Sequence, residues 1–139
     1  MAFREKIAWA ALISTLVIWG AYFTLVVANG GSGHPRVSLI VAFVACVIVQ
    51  AVVMAGAATL AAILAPGDAH APADERDRAI SRRATSFAYY FVLSAIFALI
   101  VLLHMGLDIV QTIFTLFAII VVAEAIHYGA QVIGYRRGA

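Results

Sequence analysis

Glu124 and His127 are the residues of this chain best placed to do chemistry. They stand three positions apart, and Gln131 extends the same helical face toward the carboxyl terminus. No other formally charged residue lies between Asp108 and Arg136. A carboxylate exposed in so apolar a stretch costs several kcal/mol, a cost met by holding its proton, facing water or accepting hydrogen bonds. Gln50, near the middle of another apolar run, lies at a depth from which it reaches the same centre. Three chemistries fit these residues. One is a structural polar cluster of Glu124, His127, Gln50 and Gln131 that fixes helix packing or a subunit contact. Another is a proton-coupled site in which Glu124 alternates between charged and neutral forms. The third is a ligand, lipid or cofactor site in a cleft open at one end.

Other chemistry finds little support. Glu124 and His127 supply two metal ligands, short of the set that zinc uses. His34 and His104 fall near one membrane surface, His70 and His127 toward the other, so no pair straddles a haem. Cys46 is the lone cysteine, which excludes an internal disulfide and leaves too few ligands for a thiolate cluster. There is no phosphate-binding glycine loop, HExxH zinc motif or GxSxG nucleophile elbow. The expectation is a protein that is not an enzyme, with no catalytic residue, no metal and no cofactor.

The elements that must position Glu124 are plain. Apolar residues make up 65% of the 139 positions and charged residues 12%, against roughly 25% charged in a soluble domain. Four runs, 7–28, 37–65, 85–103 and 109–133, are each long enough to cross the hydrocarbon as a helix, and only Glu124 is charged within them. The reading is one all-α transmembrane domain over residues 1–139, with four helices in two antiparallel hairpins and a loop at 66–84. The first run is longer than the apolar part of a signal peptide and is read as a retained span.

Basic residues set the orientation. Arg4, Lys6, Arg76, Arg78, Arg82, Arg83, Arg136 and Arg137 fall on one side of an even number of spans, and Arg36 alone on the other. The positive-inside rule then places both termini and the long loop in the cytoplasm. These charges need no nucleic acid to explain them.

The turns are marked as well. Residues 29–35 read Asn-Gly-Gly-Ser-Gly-His-Pro and break the first helix, while Gly106 and Asp108 stop the third helix and cap the fourth. Asp74 is the expected cap of a third helix that starts in the cytoplasm and runs unbroken to about His104. Its acidic first turn and basic later turns suit the helix dipole, and Asp74 and Arg78 are spaced as an i,i+4 pair. Asp74, Glu75, Arg76, Arg78, Arg82 and Arg83 then form a surface for a protein partner or for lipid headgroups. In the second run, Ala55, Gly56 and Ala58 are small enough to mark a close contact between helices.

Asp74-Glu75-Arg76, followed by Ile80, Arg83, Ala84 and an aromatic-rich span, resembles an uncharacterised family of small bacterial and archaeal membrane proteins. Those proteins are similar in having four predicted helices and an acidic-acidic-arginine segment before the third. The resemblance implies the layout and a place in a prokaryotic cytoplasmic (inner) membrane, and no activity. Size and span number are also similar to those of small multidrug transporters, whose membrane glutamate lies in the first helix, whereas here it lies in the fourth. The expected function is that of a structural, accessory or regulatory membrane protein, alone or as a homo-oligomer. The competing expectation is a homodimeric proton-coupled transporter of small molecules that uses Glu124.

The orientation makes a direct prediction. In a Cys46→Ala background, Ala73→Cys should stay unlabelled by a membrane-impermeant maleimide in intact cells and react in inverted vesicles. Ser32→Cys should behave in the opposite way. Labelling of Ala73→Cys from outside would reverse the topology.

Overall fold

The computed structural model describes residues 3–28, 37–67, 72 and 74–137. They form four helices, α1 (Phe3–Ala28), α2 (Val37–Leu64), α3 (Glu75–His104) and α4 (Ile109–Arg137), with no strand among the described residues. All four are long and apolar enough to cross a membrane. In hydrocarbon the helix is the natural form for such runs, because each backbone group then finds its partner within its own segment. The all-α, four-helix architecture read from the sequence is the one that forms. The turn at 29–35, Arg36, His34 and His70 lie outside the described residues.

The helices overrun the apolar segments at the end where the two termini lie. α1 starts at Phe3, α3 at Glu75, and α4 continues to Arg137. Hydropathy alone places 75–84 in a loop, yet those residues are helical, as the Asp74 cap leads one to expect. The helix is decided by its cap and its backbone bonds, not by the edge of the hydrocarbon. Asp74, in extended conformation, accepts the Asp77 backbone N–H at 2.6 Å and starts α3. The other end of α3 closes on Gly106, whose φ of 97° suits glycine. The Leu107 N–H bonds to the Leu102 carbonyl and the Gly106 N–H to the Leu103 carbonyl, the paired bonds of a glycine-terminated helix. Asp108 then caps α4 reciprocally. Its carboxylate accepts the Val110 N–H at 3.3 Å, and its own N–H donates to Gln111 Oε1 at 3.4 Å.

α1 and α4 form the central pair, with α2 packed on α1 and α3 packed on α4. Both hairpins are antiparallel. Between α1 and α2, Tyr22 meets Phe43 while Ser14 meets Gln50. Between α3 and α4, the short turn at 105–108 brings Ile80 back against Gly134. α2 and α3 do not pack on one another among the described residues, so the bundle is open along one side.

Each outer helix uses a single seam. The less exposed positions of α2 include Leu39, Phe43, Cys46, Gln50, Met54, Ala57 and Ala61, at steps of three and four. Those of α3 include Ile80, Ala84, Ala88, Phe91, Ala95 and Leu99, spaced in the same way. Such steps keep one stripe facing one neighbour. The opposite faces, with Val41, Val52 and Leu60 on α2 and Phe97 and Val101 on α3, are exposed. At the end bearing the α3–α4 turn, buried Tyr22, Val26 and Leu39 gather Trp19, Phe23, Phe43 and Phe114 around them. Phe43 also stacks on Phe117 with centroids 4.4 Å apart, joining α2 to α4.

The small residues of α2 are not the close contact. Ala55, Gly56 and Ala58 are exposed, and a Cβ built on Gly56 meets nothing within 4 Å. The tight approach is at Gly134, where a Cβ would lie 2.8 Å from Ile80 Cγ2. Gly134→Val should therefore destabilise the α3–α4 pair by about 1–3 kcal/mol, and Ile80→Ala in the same chain should recover part of the loss. Steric-trap unfolding in bicelles measures both. Equal stability of Gly134→Val and wild type would contradict the contact.

Candidate functional site

Phe117, Glu124 and Gln131 are seven residues apart and so lie along one face of α4. Phe117 stacks on α2, and Gln131 lines a cleft shared with α1 and α3 at the terminal end. Glu124 sits between them, next to the midpoint of Ile109–Arg137, and is exposed. A carboxylate is thus held at an exposed position near the centre of a membrane-length helix, between a point covered by α2 and a cleft flanked by α1 and α3. Its neighbour on α4 is Tyr128, one turn away and close enough for the carboxylate and the phenol to interact electrostatically. His127 pairs with Gln131 instead, with Nε2 of each at 2.8 Å. With the amide donating, His127 Nε2 accepts and its ring proton sits on Nδ1. The rings of His127 and Tyr128 meet edge to face at 5.2 Å.

The polar residues therefore divide differently from the single cluster that the sequence implies. No hydrogen bond joins Glu124 to His127 among the described residues. Two i,i+4 pairs, Glu124–Tyr128 and His127–Gln131, replace the expected i,i+3 contact. Tyr128 was legible as the residue one turn beyond Glu124, but its aromatic body also reads as ordinary packing.

Gln50 serves another contact. Its Nε2 donates to Ser14 Oγ at 3.0 Å and lies 3.4 Å from Thr15 Oγ1. The Ser14 hydroxyl in turn donates to the Ala11 carbonyl at 3.1 Å. Ser14 and Thr15 are buried, and Gln50 Oε1 is buried without a partner among the described residues. The α2 seam faces α1, so Gln50 binds the α1–α2 hairpin rather than α4. Hydroxyls placed mid-span opposite an amide were the available signal.

At the terminal end, a cleft of about 490 Å³ opens between α1, α3 and α4. Arg4 Nε lies 3.2 Å from Asp77 Oδ2, tying α1 to α3. Arg76 donates to the Tyr135 carbonyl at 3.2 Å, tying α3 to α4. Arg136 sits over the Trp9 ring, 5.0 Å from its centroid, tying α4 to α1. Arg78 and Arg82 line the cleft and form no ion pair among the described residues. Asp74, Glu75, Arg76, Arg78, Arg82 and Arg83 are all exposed. The Asp74–Arg78 side-chain pair does not form, and the Asp74 carboxylate accepts the Asp77 N–H instead. Asp77, absent from the residues singled out by sequence, carries the ion pair instead.

Among the described residues, no three His, Cys, Asp or Glu come together as a metal centre would require. His104 bonds through Nδ1 to the Ile100 carbonyl, and Cys46 lies half-buried in the α2 seam. Compared with protein-family models, curated proteins and solved structures, the chain matches none.

The α1–α2 amide bridge has a measurable share in stability. Gln50→Leu should destabilise the protein by about 0.5–1.5 kcal/mol, the usual range for hydrogen bonds between membrane helices. Ser14→Ala should then add little in the Gln50→Leu background, since both substitutions break one contact. Full additivity of the two in a reversible unfolding assay would show that the bridge carries no energy.

Proposed function

We propose that this protein is a small accessory or regulatory component of a prokaryotic cytoplasmic membrane, not an enzyme, with both termini in the cytoplasm. The observation that carries this reading is the open side of the bundle. α2 and α3 each spend one seam on a neighbour, and α4 presents Glu124 uncovered near mid-depth. A carboxylate in that position gains from cover by another transmembrane element that brings a hydrogen-bond partner. The arginine-rich start of α3, where Arg78 and Arg82 form no ion pair among the described residues, supplies a second contact at the cytoplasmic surface. The four-helix layout and the Asp74-Glu75-Arg76 segment support placement beside the small membrane family noted above.

The polar track from Glu124 and Tyr128 through His127 and Gln131 to the terminal cleft favours a second reading, a homodimeric proton-coupled transporter. In that case Glu124 exchanges its proton at mid-depth, and a second copy closes the open side.

Cysteines at Leu93 and Val49, in a Cys46→Ala background, place cross-linkers on the free faces of α3 and α2. The accessory reading expects cross-linking in native membranes to a defined foreign subunit, lost on reversing Arg78 and Arg82 to glutamate while insertion persists. Self-cross-linking alone, with proton-driven uptake abolished by Glu124→Gln in an intact dimer, would overturn it in favour of transport.

A further inference from the structure

A groove of about 690 Å³ runs between α3 and α4 on the face of α4 opposite Glu124. Its walls are Ala84 and Phe87 of α3 and Ile126, Ala130 and Ile133 of α4. The close approach of Ile80 to Gly134 narrows its base. Two charged side chains line it, Arg137 at the end of α4 and Arg83 roughly 12 Å into α3 at 1.5 Å per residue. Neither forms an ion pair among the described residues, and no acidic residue lines the groove. Arg76, Arg4 and Arg136 are already engaged elsewhere, so these two guanidinium groups have donors to spare.

The dimensions match one half of a bilayer. From Ile126 to Arg137 the groove follows α4 for roughly 16 Å at 1.5 Å per residue. One leaflet contributes about half of the ~30 Å hydrocarbon thickness. A ligand that fills this space has an apolar chain along most of one leaflet and an anionic head toward the end where the two arginines line the groove. Guanidinium groups bind phosphate through parallel N–H bonds.

We propose that the α3–α4 groove is a binding site for an anionic phospholipid of the leaflet on the terminal side, with its phosphate between Arg83 and Arg137 and an acyl chain along Ala84, Phe87, Ala130 and Ile133. The site is independent of Glu124, so either assignment can fail without the other. Arg82 belongs to the separate cleft and is not part of it.

The test compares dioleoyl-phosphatidylglycerol with dioleoyl-phosphatidylcholine, titrated onto delipidated full-length protein and read by native mass spectrometry. The wild type should prefer the anionic lipid at least tenfold. Arg83→Ala with Arg137→Ala should lower its affinity roughly 30-fold, as expected for two basic groups near an anionic head. Arg78→Ala with Arg82→Ala should leave the preference in place. Ala130→Leu, which fills the groove without changing charge, should weaken both lipids, and circular dichroism checks that it is folded. If Ala130→Leu fails to fold, six-carbon phosphatidylglycerol on the wild type replaces it and should bind at least tenfold more weakly than the dioleoyl lipid. Equal affinity for the two dioleoyl lipids, or equal losses from the two arginine pairs, would overturn the site in favour of diffuse surface attraction. So would chain-length independence, or a second copy of the protein that occupies the groove and excludes lipid.

Discussion

The antiparallel contact between α1 and α4 is the interaction on which the arrangement depends. α2 is held mainly by α1, and α3 mainly by α4, so the two hairpins become one body through that central pair. Lipid tails are as apolar as leucine, which removes the usual hydrophobic drive for such an association. What remains is fit and a few polar bonds. The Gly129 region passes close to Leu12, and Arg136 covers Trp9, on the same pair of helices. At the terminal end, Arg4–Asp77 and Arg76–Tyr135 bring α3 into that assembly.

This economy of contact explains both the open side and the exposed carboxylate. A helix that packs along one seam leaves most of its circumference to lipid or to a partner. α2 and α3 both do so, and neither covers the other. Glu124 consequently has Tyr128 on its own helix and open space beyond. The same geometry separates two polar systems that occupy similar depths. Gln50 turns toward Ser14 and Thr15 because its seam faces α1, while Glu124 is exposed on the stripe of α4 that carries Phe117 and Gln131.

The two clefts flanking α4 differ in the chemistry that they can host. The one that contains Gln131 is polar, with Arg4, Asp77, Arg78 and Arg82 around it. The other is apolar along its length, with arginines at the terminal end. A partner subunit and an anionic lipid can therefore occupy different faces of one helix.

The four helices were legible in the sequence because hydropathy and length are properties of each segment by itself. The caps were legible for the same reason. Asp74, Gly106 and Asp108 act on backbone groups within a few residues, and their chemistry does not depend on a distant neighbour. Glu124 stood out as a charge in an apolar run, but its partners did not. In a membrane helix both the packed and the lipid-facing sides are apolar, so composition carries little record of which way a helix is turned. That is why Gly56 and Gly134 look alike as contact residues, although only Gly134 meets another helix. It is also why Gln50 seemed able to join Glu124, and why the groove that Arg83 and Arg137 share was hidden. Segment, cap and charge belonged to the sequence itself. Rotation, neighbour and cleft were decided by tertiary packing, because they depend on the fit between surfaces far apart in the chain.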